Sequence, residues 1–243
     1  MKMKILLSII IPIYNEDRTI VQLLKKIKKL NLSKEVILIN DGSTDKTAEL
    51  LKNHKHFYDK LITINSNKGK GYACNAGINQ ARGVLTIIQD ADLEYNPNDY
   101  QKMIDIIDEN CSVVYGSRAL KGGTVITPKG LRPHFSKLAN FILTKISNLL
   151  NGQKLTDAHT CYKLFKTDIL QKLKLNEEGF AFCPEVTAKI SKLGLEIKEV
   201  PIDYFGRSYS EGKKIKVRHA FEAIKAILIY NYPYKKFKSW LRG

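Results

Sequence analysis

The chain has 243 residues, of which 44% are hydrophobic and 26% are charged, with 40 Lys and Arg against 24 Asp and Glu. This composition is typical of a folded domain and excludes a disordered chain, a collagen-like chain and a small disulfide-stabilised protein. The formal net charge of +16 attracts anionic partners, and charge alone does not separate nucleic acid, an anionic membrane surface and phosphorylated substrates.

The cysteines and the apolar runs indicate the cellular setting. The four cysteines, at positions 74, 111, 161 and 183, form no C-x-x-C pair, so we expect reduced thiols in a cytoplasmic protein. Pro12 interrupts the first apolar run, and no cleavage site follows it, so we interpret this run as a buried strand instead of a signal peptide. No apolar run approaches the ~20 residues of a membrane span, so any membrane contact is expected to be peripheral.

The first half of the chain alternates between two patterns. Runs of Ile, Val and Leu predict buried strands at residues 5–13, 35–39, 60–64, 84–89 and 112–115. Amphipathic stretches predict helices at residues 19–30, 44–52, 72–81 and 97–108. This order predicts an α/β fold with an open, mostly parallel sheet flanked by helices, which binds its ligands at the carboxyl ends of the strands.

The second half is less regular, with helices predicted at residues 132–150 and 183–193 and strands at 161–165 and 196–200. The first of these helices carries an apolar stripe that packs on the sheet or contacts lipid; it comprises Leu138, Phe141, Ile142, Ile146, Leu149 and Leu150. From residue 213 onward, lysines alternate with aromatic residues, a composition that suits a membrane surface or RNA. We therefore predict a main domain at residues 1–212 and a basic amphipathic C-terminal extension at 213–243, packed on the domain or on a membrane.

Three acidic residues, Asp90, Asp92 and Glu94, follow the fourth predicted strand. Because side chains alternate in direction along a strand, these three residues are expected to point to the same side. Such carboxylates repel one another unless a cation lies among them, and a hard divalent ion with free positions for phosphate oxygens, Mg²⁺ or Mn²⁺, suits them. The alternative is a solvated acidic turn in which Asp92 or Asn96 caps the next helix.

Polar motifs also follow the first three strands, at residues 12–16, 40–45 and 67–71. They supply an aromatic ring, a carboxylate for a base or ribose, and lysines on a glycine loop, which together with a metal predict a nucleoside diphosphate pocket. Taken singly, each has a simpler explanation, because residues 41–43 suit a turn and an N-cap and the lysines suit a solvated surface.

With these motifs and the segments at residues 116–118, 157–163 and 199–202, the sequence resembles family 2 glycosyltransferases of the GT-A fold, in particular the dolichyl- or polyprenyl-phosphate sugar transferases. The resemblance implies a donor nucleotide site made of Pro12, Tyr14, Glu16, Asp41, Lys70, Asp90, Ala91, Arg207 and Lys213. It implies metal ligands at Asp90, Asp92 and Glu94, acceptor contacts at Arg132 and Ser136, and catalytic roles for Asp92, Arg118 and Asp157.

The resemblance implies an inverting, metal-dependent transfer of a hexose from a nucleotide-sugar of the GDP-mannose or UDP-glucose type to a polyprenyl or dolichyl phosphate at the cytoplasmic face of a membrane. Such a phosphate is already anionic and needs no general base. If the acceptor is instead a glycan or glycolipid hydroxyl, Asp157 or Glu185 is the candidate base. A third reading, a non-catalytic basic module that binds membrane or nucleic acid, is disfavoured by the intact Asp90 and Asp92, so nucleic acid is the less favoured partner.

Overall fold

The computed structural model describes residues 5–128, 131–208 and 217–231, and in its helices it leaves out the side chains of residues 131–136 and 217–219. The first part consists of β1 (Leu7–Ile13), α1 (Ile20–Lys28), β2 (Lys34–Asp41), α2 (Thr47–Asn53), β3 (Lys60–Ile64), α3 (Lys70–Ile78) and β4 (Leu85–Ile88). The second part consists of α4 (Tyr100–Ile104), β5 (Val113–Ser117), β6 (Val125–Ile126), α5 (Leu131–Asn151), β7 (Lys163–Lys166), α6 (Thr167–Lys172), α7 (Phe182–Lys192), β8 (Lys198–Pro201), β9 (Tyr204–Phe205) and α8 (Val217–Asn231). Short 3₁₀ turns lie at Lys55–Phe57 and Pro97–Asp99.

Seven strands form one sheet in the order β3-β2-β1-β4-β7-β5-β8. All neighbouring pairs are parallel except those of β7, which runs antiparallel to both β4 and β5. The strands β6 and β9 form a separate two-stranded parallel pair. The predicted open, mostly parallel α/β sheet is therefore confirmed, with one reversed strand near its middle.

The central strand β1 shows why continuous apolar runs mark this sheet. Ile9 and Ile11 pack into the core layer under α1, whereas Ile10 packs into the opposite layer with α3 and α7. Because successive side chains point to opposite faces and both faces are covered by helices, nearly every position is apolar; the exception in β1, Ser8, donates its hydroxyl to Glu35 (2.6 Å). The polar residues that follow the carboxyl ends of the strands therefore stand out and mark the site.

Several predicted boundaries are wrong in detail. The helix predicted at residues 97–108 ends at Ile104, because the carboxylate of Asp108 accepts the N–H groups of Asn110 and Cys111 and turns the chain toward β5. The strand predicted from residue 161 begins at Lys163. The short elements α6, β6 and β9 were not predicted.

Helix α8 lies inside the predicted C-terminal extension and packs against α5 and α7. The division of the chain at residue 212 stays a prediction, because residues 209–216 and 232–243 lie outside the described residues. Within the described part, none of the helices combines the length and the apolar character that crossing a bilayer requires.

Candidate functional site

Strand β2 ends at Asp41, whose buried carboxylate organises the loop that follows β3. Its Oδ1 accepts a hydrogen bond from the backbone N–H of Lys68 (2.8 Å), and its Oδ2 accepts one from the N–H of Gly69 (2.8 Å). Asp41 is 2% exposed, so both charge-assisted bonds lie away from water, where they are strong. Asp41 therefore fixes the glycine-rich loop at residues 67–71 relative to the sheet.

Two glycines of this loop are required by the segment packed on them. Gly69 has a φ of +103°, and a Cβ on it would collide with the carbonyl oxygen of Glu178. A Cβ on Gly71 would collide with the carbonyl oxygen of Glu177. The N–H of Tyr72 donates to the Glu178 carbonyl (3.1 Å), so residues 177–179 lie directly on the first turn of α3.

The loops that follow β1 and β2 are hydrogen-bonded to each other and form one side of the candidate site. Asn15 adopts a φ of 51°, its N–H donates to Oγ of Ser43 (3.0 Å), and its Oδ1 accepts the N–H of Thr44 (2.8 Å). The N–H of Glu16 donates to Oγ1 of Thr47 (2.9 Å). These bonds hold the side chain of Glu16 at the same edge of the sheet as Asp41.

The three acidic residues after β4 are each in contact with a cationic residue of the protein. Lys70 forms an ion pair with Asp90. The guanidinium Nη2 of Arg207 lies 3.0 Å from Oδ2 of Asp92, and the backbone N–H of Arg207 donates to Oε1 of Glu94 (2.8 Å). The structure thus brings together the predicted metal ligands and two of the residues predicted to bind the donor.

The turn that carries these acids is strained and braced. Leu93 has a φ of 63°, which for a residue other than glycine costs on the order of 1–3 kcal/mol. Oδ1 of Asp92 accepts the N–H of Glu94 (3.1 Å), and the hydroxyl of Tyr204 donates to Oε2 of Glu94 (2.7 Å). The N–H of Phe205 donates to the Glu94 carbonyl (2.8 Å), so strand β9 holds the strained turn in place.

A fourth carboxylate, that of Glu16, joins this network by accepting from Nη1 (3.0 Å) and Nη2 (3.2 Å) of Arg207. Among the residues that the structure describes, four carboxylates then meet two cations, so the carboxylates outnumber the cations by two. Burial, together with the charges of Asp90 and Glu94, raises the pKa of Asp92 to about 7. Because carboxylate oxygens are the ligands that Mg²⁺ and Mn²⁺ prefer, the donor set and the excess charge fit one divalent cation.

In the structure, the carboxylates of this network are paired with the side chains of Lys70 and Arg207. Among the residues that the structure describes, no group of three or more His, Cys, Asp or Glu side chains is arranged to hold a metal ion. The oxygens of Asp92 and Glu94 face Arg207, and that of Asp90 faces Lys70. A divalent cation bound here would have to replace these ion pairs.

Arg118 directly follows β5 and is held by Asp157 through a two-pronged ion pair. Its Nε lies 2.6 Å from Oδ2 of Asp157, its Nη2 lies 2.9 Å from Oδ1, and Asn140 Nδ2 also donates to Oδ1 (3.0 Å). Burial opposes the charge of Asp157, but the charge and the hydrogen bonds of Arg118 prevail and lower its pKa to about 2. The Arg118 guanidinium also lies 5.1 Å from the ring centre of Tyr204, which ties it to the strand that braces Glu94.

The other candidate base, Glu185, lies in the first turn of α7 and is 0% exposed. Its Oε1 accepts from the N–H of Asn176 (2.8 Å) and from Nζ of Lys189 (2.7 Å), and its Oε2 accepts the N–H of Glu177 (2.8 Å). Glu185 therefore holds the segment that packs on the glycine-rich loop.

The remaining predicted site residues are placed as follows. Pro12 lies in β1 opposite Ile39 of β2, Tyr14 follows that strand with a half-buried side chain, and Ala91 is 4% exposed. The side chains of the predicted acceptor residues Arg132 and Ser136 lie outside the described residues, as does the whole of Lys213. Asn96 accepts the N–H of Asn98 (3.2 Å) and so caps the 3₁₀ turn, as the alternative interpretation of this segment expected.

The sequence interpretation missed Tyr204 and Asn140, which contact Glu94 and Asp157 respectively. Tyr204 follows the recognised segment at residues 199–202 by two positions, so the order of the motifs could have pointed to it. No local pattern marks Asn140, because its partner lies 17 residues away in sequence on a different element.

Helix α5 turns its apolar side away from the core. Its buried side chains are Leu143, Thr144 and Ser147, and Oγ1 of Thr144 accepts the N–H of Ala158 (3.2 Å). The exposed members of the predicted apolar stripe are Leu138, Phe141, Ile142, Leu149 and Leu150. Of the two options that the sequence left open, packing on the sheet is wrong for these five residues, and Leu149 is 83% exposed.

Comparisons with known proteins match this geometry. The model of the glycosyl transferase family 2 matches residues 8–174, more than half of the chain. A dolichyl-phosphate beta-glucosyltransferase from Trichomonas vaginalis is 28% identical over 229 residues, which cover 87% of this chain and 68% of that protein. An undecaprenyl-phosphate 4-deoxy-4-formamido-L-arabinose transferase from Proteus mirabilis is 29% identical over 213 residues, which cover 85% of this chain and 62% of that protein. The chain thus spans about two thirds of the length of these relatives.

Solved structures share the fold. Glucosyl-3-phosphoglycerate synthase from Mycobacterium tuberculosis, crystallised with Mn²⁺, UDP and glucosyl-3-phosphoglycerate, matches with a TM-score of 0.67 at 16% identity, covering 93% of this chain and 80% of that chain. S. aureus TarS, crystallised with UDP-GlcNAc, matches with a TM-score of 0.62 at 16% identity, covering 93% of this chain and 66% of that chain. With its GT-A fold and a family match that includes the acidic turn and Arg118, the chain belongs to glycosyl transferase family 2.

Proposed function

We propose that the protein transfers a hexose from a nucleotide-sugar to a polyprenyl phosphate in a reaction that depends on Mg²⁺ or Mn²⁺. The observation that carries this proposal is the network at the carboxyl edge of the sheet, where, among the described residues, four buried or nearly buried carboxylates meet two cations. Such an excess of negative charge suits a cation bound together with a diphosphate.

The donor site is proposed to lie between the joined loops after β1 and β2 and the acidic turn. Tyr14 and Glu16 would contact the nucleoside, the loop that Asp41 holds would line its pocket, and Asp90, Asp92 and Glu94 would hold the metal. The bound metal would stabilise the negative charge that develops on the diphosphate leaving group. The Mn²⁺ and UDP in the mycobacterial synthase support a donor of the UDP-sugar type, with a GDP-sugar as the alternative.

The proposed acceptor is a phosphate because neither of the two candidate bases, Asp157 and Glu185, suits the removal of a proton from a hydroxyl. A general base works best with a pKa near the operating pH, whereas the pKa of Asp157 is lowered to about 2. Glu185 has both oxygens engaged in buried hydrogen bonds. A phosphate oxygen is already charged and can attack the anomeric carbon directly, with inversion, and Arg118, positioned by Asp157, would hold it.

The lipid part of the acceptor is supported by the exposed apolar side of α5. Phe141 is 56% exposed, and the exposed Lys145 has its Nζ 5.4 Å from the centre of the Phe141 ring. Aromatic, aliphatic and lysine side chains on one helix face suit an anionic membrane surface, and the net charge of +16 adds to that attraction. The two lipid-phosphate transferases among the relatives support the same acceptor class. We therefore propose peripheral binding at the cytoplasmic face, in keeping with the four free cysteines.

A transfer assay tests the proposal. Radiolabelled UDP-glucose and GDP-mannose are each incubated with undecaprenyl phosphate in detergent micelles, with Mn²⁺ or with EDTA. We expect one donor to yield a lipid-linked product that is released by mild acid, and EDTA to abolish its formation. An acid-stable product on a glycolipid would favour the hydroxyl-acceptor alternative. No product with either donor, combined with tight binding of RNA, would favour a non-catalytic basic module.

A further inference from the structure

The starting observation is the position of Arg207, whose guanidinium lies between carboxylates from two separate loops. It reaches Glu16 after β1 through Nη1 and Nη2, at 3.0 and 3.2 Å, and Asp92 after β4 through Nη2, at 3.0 Å. Its Nε lies 3.8 Å from Oε1 of Glu94. The side chain of Arg207 is 15% exposed, so little water screens these contacts.

The fit of Arg207 in this position is incomplete. Its Nε is buried and has no hydrogen-bond partner among the described residues, because 3.8 Å is too long for a hydrogen bond to Glu94. A buried donor without a partner is destabilising relative to one that is satisfied. The guanidinium therefore pairs with the carboxylates without satisfying all of its own donors, whereas a divalent cation has no N–H groups to satisfy.

The backbone around Arg207 is held independently of its side chain. The N–H of Gly206 donates to the carbonyl of Ile126 (2.8 Å), and the N–H of Phe205 donates to the carbonyl of Glu94 (2.8 Å). A change of side-chain rotamer at Arg207 can therefore withdraw the guanidinium from the carboxylates while β6 and β9 stay paired.

We propose that Arg207 is the internal counterion of the cation site, which pairs with Glu16, Asp92 and Glu94 in the metal-free protein and which a divalent cation must displace. The inference rests on the proposed function. Once displaced from the carboxylates, Arg207 lies near the site where a nucleotide diphosphate would bind together with the metal. The guanidinium then binds phosphate oxygens in place of the carboxylates. Metal and nucleotide then bind cooperatively, because each one favours the state in which Arg207 has left the carboxylates.

The test measures Mn²⁺ binding to the full chain by electron paramagnetic resonance, with Mn²⁺ alone and with Mn²⁺ plus UDP or GDP. Replacing the charged guanidinium by an amide, Arg207→Gln, should tighten the binding of Mn²⁺ alone roughly tenfold or more, since a competing positive charge has left a poorly screened site. The gain in Mn²⁺ affinity on adding UDP or GDP should be smaller in this variant than in the wild type.

Arg82→Gln is the matched control. Arg82 also pairs with a buried carboxylate, Glu35 (2.8 Å), but near the start of β2, far along the strand from Asp41. The affinity of this variant for Mn²⁺ should equal that of the wild type. If Arg207→Gln binds Mn²⁺ no more tightly than Arg82→Gln does, the counterion role is overturned.

Arg207→Lys covers the case in which Arg207→Gln does not fold. Lysine keeps the positive charge but lacks the fork that joins two carboxylates, so its affinity for Mn²⁺ should lie between those of the wild type and Arg207→Gln. An affinity equal to that of the wild type would count against the inference. If no protein binds Mn²⁺ even with UDP or GDP, the proposed metal dependence fails and the inference fails with it. Nucleotide-dependent binding that is identical in all variants refutes only the role of Arg207.

Discussion

The carboxyl edge of the sheet, where we propose that the donor binds (the donor edge), and the exposed side of α5 differ in which kind of residue they bury and which kind they expose. At the donor edge, charged residues such as Glu16 and Asp92 are largely removed from water and held by ion pairs. On α5, Phe141 and Leu149 are exposed, while Thr144 and Ser147 are buried. Each region reverses the usual preference for apolar residues inside and polar residues outside. The comparison indicates that the two substrates of the proposed reaction need two kinds of surface: a neutralising pocket for a diphosphate and an apolar face for a lipid.

The largest expected effect tests the donor edge. Asp92→Asn removes the charge of one proposed metal ligand and should lower the rate of sugar transfer by about 10³-fold, since electrostatic stabilisation of the leaving group is lost. The measurement is the initial rate of radiolabel transfer at saturating Mn²⁺. Asp105→Asn changes an exposed residue directly after α4; it is the control and should retain the wild-type rate. A rate for Asp92→Asn within tenfold of the wild type would contradict the proposed donor site.

The second prediction concerns Asp157, which lies between the two regions. Asp157→Asn leaves Arg118 without its charged partner, so we expect a loss of about 3–5 kcal/mol in the free energy of unfolding and a roughly hundredfold slower transfer. Because folding depresses the pKa of Asp157 to about 2, its stabilisation is present above pH ~4 and is lost as the pH falls toward 2. The difference in stability between wild type and variant should therefore shrink over that range.

Urea unfolding between pH 2 and 7 measures this difference. Asp168→Asn serves as the control. Oδ2 of Asp168 lies 3.7 Å from Nζ of Lys172, and because both side chains are largely exposed, this ion pair is expected to contribute little to stability. A stability difference for Asp157→Asn that stays constant down to pH 2 would show that the carboxylate charge is not what stabilises the fold.

The third prediction tests the apolar face. The double substitution Phe141→Ser and Leu149→Ser should weaken binding to anionic phospholipid vesicles about tenfold, because two exposed side chains lose their apolar contact with lipid. Thermal stability should not fall, since neither side chain is buried. Leu193→Ser, just after α7, changes a leucine that is as exposed as Phe141 (56%) and should bind vesicles like the wild type. Equal vesicle binding by all three proteins would remove α5 from the proposed membrane surface.

The smallest effect on transfer is expected for Glu185→Gln. Because Glu185 holds backbone N–H groups, the substitution should lower the midpoint of thermal unfolding while slowing transfer less than about threefold at a temperature where the variant is folded. A pH profile of the rate distinguishes the two roles. If the wild-type rate falls at acidic pH and the rate of the variant does not, Glu185 would be supported as a base for a hydroxyl acceptor.

The first half of the fold could be predicted because strands buried on both faces, such as β1, appear in the sequence as runs that are apolar at nearly every position. The reversed direction of β7 could not, because its four residues, KLFK, do not encode which way the strand points. The strand ends identified Asp41 and Asp92 as site residues. The partner of Asp92, Arg207, is 115 residues away, and only the folded chain shows that the two residues form an ion pair.

The α5 face could not be predicted for a different reason. A hydrophobic stripe reports that a helix has an apolar side, but it does not report which side faces the sheet. Thr144 binds the N–H of Ala158, and Asn140 binds Asp157, so polar contacts from the opposite side decide the orientation of the helix.

The hydrogen bonds of Asp41 also affect how a phosphate could be recognised. The start of a helix after a glycine-rich loop normally presents free N–H groups to anions. Here the amides of Lys68 and Gly69 are committed to Asp41, and that of Tyr72 is committed to the Glu178 carbonyl. The loop thus resembles a phosphate cradle in sequence but has given these three backbone donors to the protein itself. We therefore expect phosphate recognition to come mainly from side chains and a metal, so inorganic phosphate or pyrophosphate without a divalent cation should be a poor competitor for the nucleotide.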